Sequence, residues 1–304
     1  MVLSGNTSMS TTGFSRIVSK LVCFGFRVGG HLAPGLATSA ALWLFTTPHR
    51  SKPQPHELAW LDQADSFSVE HNGQKLAVMA WGSGPMVLCV HGWSSRGLRF
   101  VHFIKPLIES GCKVVAFDGP AHGRSSGRHV DVMEYAESIL AVAQKAGPIH
   151  AILAHSFGAT ATMLALEKGL TVDRAVFFSA LNGIRGPLDY LGAKLQLPEA
   201  ILQNVKSVFE RKFSRTIESL EAVCIVPHLK HFPLLVCHDK DDPLLPHHNA
   251  LDLVRVWTGS ELITSLGAGH ETILDDPHLI QAATAFILRP TSFQAQSSAS
   301  LHGV

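Results

Sequence analysis

The sequence predicts an α/β fold: one mostly parallel central sheet with helices on both faces. Short, uniformly apolar runs recur along the chain, each bounded by turn residues, as strands buried on both faces require. Helical stretches separate these runs, and strand–helix–strand alternation implies right-handed βαβ crossovers. Composition agrees, since 46% of the 304 residues are hydrophobic and 16% charged, enough apolar material for a sizeable core. The net charge of +1 argues against nucleic-acid binding through bulk charge and against an acidic disordered chain.

In chain order, Ser66–His71 and Lys75–Trp81 alternate around Asn72-Gly73, a strong hairpin signal. Apolar runs follow at Met86–Val90, Lys113–Phe117, Ala151–Ala154, Ala175–Phe178 and Pro233–Cys237, with a weaker one at Leu262–Ser265. Helices are expected at Gly97–Ser110, Val130–Ala146, Phe157–Gly169, His248–Trp257 and Ile273–Leu288. About fifty residues, 182–232, stand where a crossover needs far fewer. Within them Pro198–Phe213 reads as an amphipathic helix with Ile201, Val205, Val208 and Phe209 on one face, and Thr216–Val223 as another. The insert is expected to be a helical lid, and the Ser-rich tail, 291–304, to be disordered.

The five cysteines form no CxxC pair, and Cys89 and Cys237 fall inside buried-strand runs. Free core thiols in a reducing compartment, the cytoplasm, are the expected state. The 18 histidines are scattered and no HExxH occurs, so no metal site is expected. Neither G-x-G-x-x-G after a strand nor a Walker lysine pattern is present, so no nucleotide or other cofactor is implied.

Chemistry concentrates in three loops. Ala154-His155-Ser156-Phe157-Gly158 follows a buried strand and opens a small-residue helix, the context of a nucleophile elbow that pushes one side chain out of the sheet. Ala154 stands where the usual pattern has glycine, a departure of one methyl. His91-Gly92-Trp93 ends another buried strand, where the amide of Trp93 would face an oxyanion and the amide of Phe157 would be its second donor. His91 itself is expected to be structural. Downstream, Cys237-His238-Asp239-Lys240-Asp241-Asp242 places acids after a strand, and Gly267-Ala268-Gly269-His270 places a histidine after the next. Nucleophile, acid, histidine is a known triad order, with Ser156 attacking, an Asp orienting and His270 moving the proton.

These motifs, with Asp118-Gly119-Pro120-Ala121-His122-Gly123-Arg124-Ser125, resemble those of the α/β-hydrolase superfamily of esterases, lipases and C–C bond hydrolases. The likeness covers roughly Ser66 to Leu288 and implies the α/β-hydrolase fold, with a domain over 61–290. The family's H-G-x-x-D-x-x-x-P segment, laid on His238 to Pro246, selects Asp242 over Asp241 and Asp239. By the same likeness, Asp118 is a loop-holding residue, and His122 and His155 shape the pocket. Haloalkane dehalogenases and epoxide hydrolases carry Asp at the elbow, so Ser156 argues against their chemistry. The implied activity is hydrolysis of a carboxylic ester, and the expected lid, by supplying an apolar pocket, points to an apolar acyl group; a C–C bond or thioester hydrolase using the same triad, or a non-catalytic binding module, are the alternatives.

Residues 1–60 form an expected extension. No Asp or Glu precedes Glu57, whereas Arg16, Lys20, Arg27, Arg50 and Lys52 do. Arg27, His31 and Pro34-Gly35 interrupt the apolar Leu21–Phe45, which argues against a spanning helix, and no A-x-A site follows a continuous apolar stretch. A helix near Leu36–Phe45 is expected, packed on the domain or lying at a membrane surface, where the basic start permits attraction to anionic lipid.

Overall fold

The computed structural model describes residues 10–290; the Ser-rich tail lies outside them. The described chain divides into two compact units, one made of the residues up to Thr46 with Ile184–Glu218, the other of Thr47–Gly183 with Ser219 onward.

The larger unit is built on a sheet of eight strands among the described residues: β1 (Asp65–His71), β2 (Gln74–Trp81), β3 (Met86–Val90), β4 (Lys113–Phe117), β5 (Ile149–His155), β6 (Val172–Phe178), β7 (Leu234–Asp239) and β8 (Glu261–Ser265). Their order is β1-β2-β4-β3-β5-β6-β7-β8; β1 and β2 run antiparallel to their neighbours and the rest are parallel. The Asn72-Gly73 turn has positive φ at both residues, 48° and 73°, as the hairpin signal requires. Every side chain of β3 is buried, which is why its sequence does not alternate.

A short helix, α3 (Pro55–Leu61), precedes the sheet, and longer helices cover both its faces. Helices α4 (Val101–Glu109) and α11 (Pro277–Ile287) pack on the face carrying Val87, Cys89, Val176 and Phe178. On the opposite face, Tyr135 of α5 (Val132–Ala146) meets Phe117, and Trp257, capping α10 (His248–Val256), meets Phe177. Asp131 caps α5 through the amides of Met133 and Glu134. Helix α6 (Phe157–Glu167), rich in Ala and Thr, is buried beyond its first residue down to Leu166 and packs on α5.

The smaller unit is helical: α1 (Ser10–Leu32), α2 (Pro34–Thr46), α7 (Arg185–Lys194) and α8 (Glu199–Phe213). Pro34 lacks the amide that would continue α1, so the chain restarts as α2 with Pro at its first position. The helix expected near Leu36–Phe45 is α2; α1 comes in addition. Cys23 contacts the carbonyl of Lys194, and α2 packs along α8. Gly30 lies so close to α8 that a Cβ there would come within 2.6 Å of Pro198.

The second expected helix of the insert, Thr216–Val223, is not formed. Ser214 ends α8 in the left-handed region, φ 54°, and the carboxylate of Glu210 takes the amide of Ile217, which starts the turn afresh. A short 3-10 turn, Glu218–Leu220, and the single-turn α9 (Ala222–Ile225) follow instead. Among the described residues no helix is long and apolar enough to cross a membrane.

Candidate active site

The sheet order reverses between β3 and β5, and at such a switch point the loops after neighbouring parallel strands part and leave a crevice. Gly92 follows β3 and Ser156 follows β5. Ser156 sits at φ 53°, ψ −122°, a conformation an L-residue adopts only under constraint. The constraint is visible around it. The Ser156 amide donates to the carbonyl of Phe178 at 2.9 Å, locking the turn to β6. Gly158 lies against β3, so that a Cβ would come within 2.6 Å of the carbonyls of Val90 and His91. Glycine is required there for close approach rather than for its φ.

His270 reaches this serine from the loop after β8. Its Nε2 lies 3.1 Å from Ser156 Oγ, and its Nδ1 lies 2.7 Å from Asp242 Oδ2. Each of the three is less than a tenth exposed. The other oxygen of Asp242 accepts the amides of Leu244 and Leu245 at 2.8 and 2.9 Å. Burial alone would raise this carboxyl, but the His270 bond and the two amides outweigh it and hold the group down to about 2. The carboxylate is therefore ionised and aimed at the histidine.

The competing acids do different work. Asp241 is exposed. Asp239 is fully buried and faces the His270 loop, accepting from Ser265 Oγ and the Ala268 amide at 2.8 Å and from the Asp241 amide at 3.0 Å. Asp118 accepts the amides of Gly97 at 2.7 Å and Arg124 at 2.8 Å, the loop-holding geometry.

Four buried histidines brace the same loops. His91 donates from Nδ1 to the Gly92 carbonyl and accepts the Gly119 amide at Nε2, a structural use. His122 accepts the Ser94 amide at Nε2 and donates to the Pro120 carbonyl. His155 donates from Nε2 to the carbonyl of His270 at 2.9 Å, and His238 donates to the carbonyl of Leu245 at 3.0 Å. His122 and His155, at 0% and 3% exposure, tie backbone segments together while their rings lie against Trp93 and His270. Burial pushes His91 down to about 4 and His122 and His155 to about 3, so all three are neutral at pH 7.

Several supports had no signal in the motifs. Arg50 reaches the carbonyls of His122, Gly123, Ser125 and Gly127 at 2.6 to 3.3 Å. Its charge thus serves backbone dipoles rather than a free basic surface. Arg96, three residues after Trp93, is buried against Glu57, with Nε 2.9 Å from Oε2. The His49 amide donates to Ser94 Oγ, and Tyr135 donates to the His91 carbonyl.

Around Ser156 the rings of Trp93 and Phe157 meet edge to face, with centroids 5.3 Å apart. No group of three or more His, Cys, Asp or Glu able to hold a metal occurs among the described residues. The cysteines are free, and Cys224 alone of the five is exposed.

Fold and site together define an α/β hydrolase. The chain belongs to the alpha/beta hydrolase family, whose model matches residues 87–283. It is 38% identical over 90 residues to the human serine hydrolase-like protein, a match that covers 27% of this chain and 44% of that protein. The chain spans less than half the length of the curated relatives it matches. Among solved structures it is similar to an esterase from Exiguobacterium antarcticum, at 19% identity and TM-score 0.57, covering 74% of this chain and 100% of that one. It is also similar to the thioesterase domain from the curacin biosynthetic pathway, at 18% identity and TM-score 0.56, covering 74% and 99%. At these identities the likeness is one of fold.

Proposed function

We propose that the protein is a serine hydrolase that cleaves a carboxylic ester with an apolar acyl group. The observation that carries the proposal is the hydrogen-bonded row Ser156–His270–Asp242. Ser156 Oγ attacks the ester carbonyl carbon while His270 Nε2 takes its proton, and Asp242 stabilises the imidazolium and holds its tautomer. The amides of Trp93 and Phe157 receive the oxyanion. His270 returns the proton to the departing alcohol, leaving an acyl-enzyme. Water, deprotonated by His270, then attacks that acyl group and releases the acid and Ser156. The Trp93 and Phe157 rings beside the serine support an apolar acyl group, and the free thiols support a cytoplasmic setting.

A series of p-nitrophenyl esters of graded acyl length tests this, assayed with Ser156→Ala alongside. Turnover should rise with acyl length to a plateau, and Ser156→Ala should fall by roughly 10⁴-fold or more. Labelling by a fluorophosphonate should follow the same residue. A wild-type protein that resists the label as fully as Ser156→Ala does would remove the serine-hydrolase reading. Activity on acyl-CoA or on a vinylogous diketone, with none on esters, would move the assignment to a thioester or C–C bond hydrolase.

A further inference from the structure

The surface of α1 and α2 carries an inference independent of the hydrolytic reading. An amphipathic helix normally has one apolar face, and that face is covered. Helix α1 has two. Cys23 and Phe26, one helical turn apart, are buried, and Gly30, one turn further on, abuts Pro198. On the other side Leu21, Phe24, Val28 and Leu32, spaced three, four and four residues apart, form a second apolar stripe that stands uncovered. Phe24 is 66% exposed and Leu32 80%. Leu36, at 75%, and Trp43, seven residues later on α2, extend it.

The charge beside this stripe is of one sign. At 100° per residue, Lys20, Arg27 and His31 fall together along one edge of it. Neither α1 nor α2 carries a carboxylate. Arg27 and His31 also line a cleft of about 420 Å³ with Gln196, Leu197 and Pro198, where an exposed amide side chain joins the two basic ones.

We propose that this helical pair is a docking surface for an anionic phospholipid bilayer. The stripe enters the interfacial region lying flat, Trp43 sits at headgroup depth, and Arg27 and His31 face lipid phosphate. A second copy of the chain fits less well, because its helical pair offers no carboxylate to the cations of the first. Lipid phosphate supplies the charge that both the edge and the cleft lack.

The test is co-sedimentation of the full chain with vesicles of phosphatidylcholine, with and without phosphatidylserine, at low and high salt. The wild-type protein should pellet with the anionic vesicles, poorly with the neutral ones, and release as salt rises. Phe24→Glu combined with Leu32→Glu should leave it in the supernatant with its melting temperature unchanged. Lys20→Gln and Arg27→Gln should each weaken binding roughly fivefold. Failure of the wild-type protein to pellet overturns the proposal, and so does pelleting of the double glutamate variant. Equal binding to neutral vesicles at all salt concentrations removes the anionic element. A wild-type dimer by light scattering, split by the double variant and indifferent to vesicles, assigns the stripe to self-association instead.

Discussion

The two units handle polarity in opposite ways. The larger one buries Glu57, His91, Arg96, Asp118, His122, His155, Asp239 and Asp242, each tied to a named partner. Among its described residues the smaller one buries a single polar side chain, Thr38, and leaves Leu21, Phe24, Leu32, Leu36 and Trp43 open. Burying a polar group costs free energy unless its bonds are satisfied, so a region dense in such groups fixes geometry wherever those bonds hold. A region with open apolar side chains gains nothing by itself and is stabilised only when something apolar covers it. Position is what the first unit supplies, and surface is what the second supplies.

The largest loss is expected inside the acid turn. Asp242→Asn keeps the shape but reverses the donor at His270, and kcat should fall by about 10⁴-fold with KM nearly unchanged. Asp239→Asn, three residues away, removes an ionised acceptor from the Ser265 and Ala268 bonds, so its main loss should be in stability. Steady-state kinetics with thermal melts separates the two. If both variants lose kcat alone, the division of labour between these aspartates is wrong.

Next in size is the buried ion pair that anchors the segment beside the Trp93 loop. Arg96→Ala leaves Glu57 buried without its partner, which should cost about 3–5 kcal/mol in urea denaturation. An effect below about 1 kcal/mol would place the pair in solvent.

Acid tests the buried histidines. Their folded values, about 4 for His91 and about 3 for His122 and His155, lie below the unfolded value near 6.5. The unfolded chain therefore binds more protons, and stability falls as pH drops below about 6.5. Each histidine removes up to about 1.4 kcal/mol per pH unit until its folded value is reached. Melts across pH 7.5 to 4.5 should show a steep decline, reduced in slope by His155→Gln. A flat profile would mean that these rings are accessible to protons in the folded state.

What the sequence revealed divides along the same line. The strands, the Ser156 turn and the His270 loop were legible because their constraints are local: a serine forced to φ 53°, a glycine against two carbonyls, an uninterrupted apolar run. The family's spacing picked Asp242 out of three acids, and the structure brings that one to His270. The backbone ties of His122 and His155 were not legible, since a histidine beside a nucleophile reads equally as wall or as tie. Pairing of α1 with the insert was not legible at all. Cys23 and Lys194 are 171 residues apart, and helix faces carry no address for one another beyond being apolar. Two apolar stripes on one helix say that two surfaces meet it, without saying which is internal.

That ambiguity is settled by the smallest effect expected here. If the stripe through Leu21, Phe24, Val28 and Leu32 faces outward, Leu32→Glu removes no packing, and the unfolding free energy should stay within about 0.5 kcal/mol of wild type. Phe26→Ala, on the covered side of the same helix, removes a 7% exposed ring and should cost about 3–5 kcal/mol wherever its cavity cannot collapse. Both substitutions lie on one helix, six residues apart, so local helix propensity contributes little to the difference between them. Denaturation of the two variants side by side reads the helix's orientation directly. A loss at Leu32 as large as that at Phe26 would mean that both stripes are covered by the protein itself, leaving no apolar face for lipid.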